Sequence, residues 1–174
     1  MSMRFVINPK ANDSFEPKPI VGSAKFRRYP SQQLPGMTEN NFNGGCQCGA
    51  VRYEITGQPI MAAICHCSMC RRANAAPVVA WAMFAESQVS FTKSRPKAYN
   101  SSPEAERGFC STCGTQIYFT AEYIPGLIDI TVGSLDHPNS IKPEFHYWHS
   151  EHLAWVKFAD GLPRHPEFPP TGEG

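Results

Sequence analysis

Residues 44–55 read GGCQCGAVRYEI: two thiols one residue apart, a glycine, then Val51, Tyr53 and Ile55 alternating with Arg52 and Glu54. Apolar residues at period two mark a half-buried strand, so the stretch predicts a ligand-bearing turn that feeds directly into a β-strand. The pattern returns at residues 107–119, RGFCSTCGTQIYF, where Cys110 and Cys113 are followed by Gly114, and Ile117 and Phe119 flank Tyr118. A third alternation places Ile128, Ile130 and Val132 against Asp129 and Thr131. The run PVVAWAMF (residues 77–84) is continuously apolar and predicts a fully buried strand, with a short helix as the alternative that periodicity alone leaves open. Gly44-Gly45, Gly57, Pro125-Gly126 and Asp136-His137-Pro138 mark turns or loops. The one helix expected is a turn or two around Cys70 to Ala76, so the fold class is mainly β.

Composition agrees with that class. The chain has 174 residues, enough for one domain with appendages, and its 13 Gly and 16 Pro exceed average usage. A formal net charge of +1 gives no electrostatic case for nucleic acid, which is disfavoured as a partner, or for an anionic membrane surface. No stretch approaches the roughly 18 to 20 apolar residues that span a bilayer, and MSMRFVINPK lacks the apolar run of a signal peptide. The expectation is a cytoplasmic protein without a membrane partner; its oligomeric state stays open. Residues 1–42 read as a Pro-rich, mildly basic arm, 43–165 as the domain that carries every cysteine and 166–174 as a tail.

Seven cysteines are an odd count for a disulfide framework, and in a reducing compartment clustered thiols point to metal or catalysis. They fall into three groups: Cys46 and Cys48; Cys65, Cys67 and Cys70; Cys110 and Cys113. A CxxC turn followed by glycine aims two thiolates at one tetrahedral ion, and the first pair supplies the other two. Cys46, Cys48, Cys110 and Cys113 thus predict a closed, structural zinc site joining two distant segments. A rival reading as redox-active pairs lacks the βαβ context that CxxC redox sites usually occupy.

The middle group, CHCSMC at 65–70, offers three thiolates and no obvious fourth. Three protein ligands with one open position is the arrangement of a reactive zinc, because the vacancy can accept water or substrate. Cys65, Cys67 and Cys70 are therefore the candidate catalytic residues and the ligands of a second zinc. His66 is the alternative fourth ligand, which would close the site; neighbours in an extended segment point to opposite sides, which argues against it. Arg71, Arg72 and Arg107 either offset the anionic cluster, hold a substrate carboxylate, or lie on solvated surface.

With C-x-C, then C-H-C-x-x-C, then R-x-F-C-x-x-C-G, the chain resembles the glutathione-dependent formaldehyde-activating enzyme family, which includes centromere-protein-V-like proteins. Gly44 to Tyr53 resembles the family's opening strand, Arg107 to Cys110 introduces its second CxxC, and Pro143 to His146 with Trp155 and Gly161 to Pro163 resembles its closing segment. The resemblance implies a mainly antiparallel, Mss4-like β fold held by zinc, with the same division of the cysteines into structural and catalytic sets. It also implies carbon–sulfur lyase chemistry, in which glutathione or another small thiol adds to formaldehyde or a related carbonyl to give S-hydroxymethylglutathione or its analogue. His146 becomes an acid/base candidate on the resemblance, with His149 and His152 beside it. The competing expectation is a non-enzymatic zinc module that binds a protein partner.

Overall fold

The structure, a computed structural model, describes residues 41–169. Of the arm expected over residues 1–42, residues 1–40 lie outside the described residues, and Asn41 and Phe42 belong to the first strand. Ten strands, one α-helix and several 3₁₀ turns make two sheets. Strands β1 (Asn41–Gly45), β2 (Arg52–Thr56) and β5 (Val89–Phe91) form the smaller one in the order β1-β2-β5. The larger sheet contains β3 (Met61–Cys65), β4 (Val79–Ala85), β6 (Lys97–Ser102), β7 (Ala105–Phe109), β8 (Gln116–Ala121), β9 (Leu127–Thr131) and β10 (Phe145–Tyr147). Its order is β10-β3-β4-β9-β8-β7-β6. Every strand pairing is antiparallel except β10 with β3, which is parallel. The mainly β, mainly antiparallel class is the one expected.

Alternation decides which residues fill the space between the sheets. Phe42, Tyr53, Ile55, Ala82, Phe84, Ile128 and Ile130 bury there in one core, with Phe42 and Phe84 ring centroids 6.1 Å apart. The PVVAWAMF run is a strand, and its central position in the large sheet explains why both of its faces are apolar. Its other face, with Ala63, Cys65, Trp81 and Tyr147, forms a second apolar cluster that also includes Cys70. Helix α1 (Ser68–Asn74) belongs to this side; it begins two residues before the expected start, with Cys67 as its N-cap.

Two local expectations need correction. Gly44-Gly45 is not a turn but the end of β1, pairing with Tyr53 and Arg52. A Cβ at Gly44 would lie 2.3 Å from the Tyr53 hydroxyl and 2.7 Å from the Ser134 carbonyl oxygen, so glycine here permits close approach rather than reversal. In β8, Ile117 and Phe119 do not share a face. Ile117 joins the core between the sheets and Phe119 the second cluster, because the pairing with β7 shifts register between Gly108 and Phe109. Such an irregularity adds one residue to one strand and reverses the faces beyond it.

Candidate functional site

The four-thiol group sits where two knuckles meet. In the first, Gly49 N–H donates to the Cys46 carbonyl at 3.0 Å and Val51 N–H to Cys46 Sγ at 3.2 Å. In the second, Gly114 N–H donates to the Cys110 carbonyl at 2.8 Å, and Cys110 N–H to the Thr115 carbonyl at 2.9 Å. Gly49 and Gly114 close their knuckles at φ of 75° and 78°, which side-chain-bearing residues adopt at a cost. Gln47 N–H donates to Thr115 Oγ1 across the two, at 3.2 Å. All four sulfurs lie within 4.8 Å of one another, with Cys46–Cys48 at 3.5 Å and Cys48–Cys110 at 3.8 Å. A tetrahedral zinc with bonds of about 2.3 Å needs sulfurs about 3.8 Å apart, so the donor set fits that ion. The Cys113 thiol is pulled down to about 5, first by the Thr115 hydroxyl 3.2 Å away.

The three-thiol group is built differently. Cys65 ends β3, Cys67 caps α1 by accepting the Cys70 N–H at 3.2 Å, and Cys70 lies in the first turn of that helix. Their sulfurs also lie within 4.8 Å of one another, and Cys65 and Cys70 are buried. Arg107, 3% exposed, reaches from β7 to place Nη2 3.6 Å from Cys70 Sγ, with its guanidinium 4.7 Å above the Phe119 ring. The Cys65 and Cys67 thiols, followed by Arg107, hold Cys70 well below the usual thiol range, whereas burial pushes Cys65 well above it. Tyr147, which pairs with Cys65 across β10 and β3, packs with it in the same buried cluster.

His66 turns away from this trio. Neither of its ring nitrogens joins the three sulfurs within 4.8 Å, among the described residues. Instead its Nε2 lies 2.8 Å from His146 Nδ1, and His146 Nε2 lies 2.8 Å from Asp160 Oδ2. Ionised Asp160 can only accept, so His146 donates through Nε2, and one proton is shared between His146 Nδ1 and His66 Nε2. Burial, then the neighbouring His146, lowers His66 to about 4, which keeps it neutral. His146 is thus fully buried and supports the peptide that carries Cys65 and Cys67, rather than facing the thiols. His149 and His152 stack with centroids 4.4 Å apart beside the same pair. Arg71 is also structural, donating to the His66 and Glu151 carbonyls.

A further observation separates the two groups. The buried side-chain atoms without a hydrogen-bond partner among the described residues are His66 Nδ1, Trp81 Nε1 and Arg107 Nη1. Trp81 and Arg107 border the three-thiol group, as its cluster partner and its hydrogen-bond donor, whereas the His66 ring lies on the side of His146. Buried orphans of this kind point to a polar occupant such as an ion, water or ligand. The three soft donors fit zinc with one coordination position left over. The sequence reading did not single out Tyr147, Tyr123 or Asp129; they come from three separate segments, and no spacing rule joins them.

Residues 41–151 match the family model for the glutathione-dependent formaldehyde-activating enzyme. A Schizosaccharomyces pombe protein named as an uncharacterized lyase is 35% identical over 78 residues, which is 45% of this chain and 56% of that protein, so the match spans little more than half of that relative. The crystal structure of a Rhodobacter sphaeroides protein aligns with a TM-score of 0.43 and 21% identity, covering 71% of this chain and 98% of that one. With well over half of its length matched, the chain belongs to the glutathione-dependent formaldehyde-activating enzyme family.

Proposed function

We propose that this protein is a zinc-dependent lyase of the carbon–sulfur type that joins glutathione or another small thiol to formaldehyde or a related carbonyl, and releases it in reverse. The observation that carries the reading is the division of seven cysteines into a set of four and a buried set of three whose surroundings hold unpaired polar atoms. Cys46, Cys48, Cys110 and Cys113 would hold a structural zinc. Cys65, Cys67 and Cys70 would hold the second, catalytic one. Held there with a coordination position left over, the ion would supply Lewis acidity that favours the thiolate form of a small thiol, since a free thiol with a pKa near 8.5 is mostly protonated at neutral pH.

The chain's own residues supply the rest. Trp81, Tyr147 and Phe119 form an apolar wall that excludes water from the sulfurs, which strengthens every charge interaction inside. Arg107 offsets part of the charge on Cys70 and fixes its direction. The thiol gives up its proton, its sulfur attacks the carbonyl carbon, the carbonyl electron pair moves to oxygen, and that oxygen takes up one proton in return, giving the S-hydroxymethyl adduct with no net proton change. No helix among the described residues is long and apolar enough to cross a membrane. Cytoplasmic residence and a small-thiol partner complete the reading.

The test is metal counting combined with rate measurement. Two zinc per chain and thiol-dependent consumption of formaldehyde above the spontaneous rate are expected. One zinc per chain, or no acceleration with any thiol, overturns the reading.

A further inference from the structure

On the outer face of the large sheet, Arg107, Phe119, Asp129 and Met83 form one row across β7, β8, β9 and β4. Strands about 4.8 Å apart place the Arg107 and Asp129 backbones about 10 Å apart, with Phe119 between them. A buried cation and a carboxyl on one row of a sheet ordinarily pair, since each is costly to bury alone. Here they do not: Arg107 is engaged with Cys70 Sγ and the Phe119 ring, and its Nη1 has no partner. Asp129 makes no side-chain hydrogen bond or ion pair among the described residues, although it stands beside Phe119 and Met83. As a residue it is half-buried, whereas Arg107 is almost wholly so.

We propose that Asp129 is the acid–base residue of the three-thiol site, taking the proton of an incoming small thiol and returning it to the oxygen of the carbonyl that the sulfur attacks. The inference rests on the thiol–carbonyl reading above. The S–H proton passes to the Asp129 carboxylate, and a carbon–sulfur bond forms as the carbonyl π pair moves to oxygen. Asp129 then gives the proton to that oxygen. The sum is RSH + R′CHO → RS–CHR′–OH, with no net proton, oxidant or reductant, and the same residue serves the reverse reaction.

The setting suits the role. Burial raises the Asp129 carboxyl to about 7, Cys70 adds to the rise, and Arg107 opposes it. An acid–base group works best when its pKa lies near the operating pH. The titratable and charged groups that face it are Cys70 of α1, Arg107 of β7, Tyr147 of β10 and Tyr123 of the β8–β9 turn. Arg107 and Cys70 are committed to each other, and Tyr147 packs beside Cys65.

The experiment uses the zinc-loaded full chain with glutathione and formaldehyde. Asp129→Asn should lower kcat about a hundredfold, within the usual range for loss of general acid–base catalysis. Its zinc content, and glutathione affinity read from the spectrum of the cobalt-loaded chain, should match wild type, and the near-neutral limb of the pH–rate profile should vanish. Asp129→Ala should recover activity with added formate, which replaces the carboxyl. Asp136→Asn, a surface carboxyl remote from the site, should be unchanged. Wild-type kcat and pH profile in Asp129→Asn would overturn the inference, as would loss of one zinc from either variant or no rescue by formate. If wild type itself shows no thiol-dependent acceleration, the proposed function falls; if only the Asp129 variants behave as wild type, this inference alone falls.

Discussion

Both thiol groups are made of cysteine, yet one is built like a clasp and the other like a socket. The four-thiol group joins turns that are 62 residues apart, lies near the surface with Cys48 exposed, and is surrounded by satisfied backbone N–H groups. The three-thiol group comes from six consecutive residues and is sunk against Trp81, Tyr147 and Arg107, with unpaired polar atoms around it. On the proposed function, spacing along the chain would separate stability from chemistry: ligands from distant segments would hold the fold, whereas local ligands would leave the fold to other contacts and keep a coordination position open.

The comparison breaks most visibly if metal is stripped from the clasp. Structural zinc in finger peptides contributes roughly 10 to 16 kcal/mol, against about 5 to 15 kcal/mol for the whole stability of a domain. Complete chelation, or Cys110→Ser, is expected to abolish the near-UV CD spectrum and the cooperative melt. An unchanged melting curve would remove the distinction between the sites.

Cys67→Ala sharpens it from the other side. The variant should keep its fold, lose one zinc per chain and fall to the spontaneous rate of thiol addition. Loss of the cap costs only about 1 kcal/mol, so melting should shift by a few degrees. Retained activity with one zinc fewer would assign the chemistry elsewhere. A milder perturbation is Arg107→Met, which leaves all seven cysteines in place. Second-sphere partners are typically worth 10- to 100-fold in metal affinity, and chelator competition should show that loss at the three-thiol site alone.

The smallest effects concern two carboxyls on opposite sides. Arg52 beside Asp136 holds that exposed carboxyl below the ordinary carboxylate range. The contribution of the pair is present above the unfolded pKa of about 3.9 and is lost as pH falls through the lower folded value. Asp136→Asn should therefore match wild type in strong acid and differ slightly at neutral pH. Asp129 has the opposite sign: its pKa is raised to about 7, so the folded state holds its proton longer and stability falls as pH rises from about 4 to 7. Asp129→Asn should flatten that slope in thermal melts followed against pH; an unchanged slope would contradict the raised pKa.

Much of this was legible in the sequence because it is local or periodic. The CxC and CxxCG turns, the alternation of Val51, Tyr53 and Ile55, and the apolar run of β4 each carry their meaning within a few residues. The β8 register shift was not legible, since it depends on how Gly108 and Phe109 meet another strand. Nor was the end of β1 at Gly44-Gly45, where a pair of glycines looks like a turn until the Tyr53 ring is placed against it. The sequence offers His146 as an acid/base candidate, whereas its place in the Asp160–His146–His66 chain, behind the backbone of the second site, depends on contacts between distant segments. Asp129 was read as the polar partner in an alternating strand; its neighbours across the sheet give it a different meaning.

The long span of the clasp also orders events during biosynthesis. Closing a loop of about 60 residues rather than about six costs roughly 2 kcal/mol more, at about 0.6 kcal/mol per doubling. A nascent chain short of metal would thus fill the local cysteine trio before its ends are fastened together. Metal scarcity would then yield loaded but unfastened chains, and a pulse of zinc during refolding, followed by counting ions against recovered near-UV CD, would reveal that order.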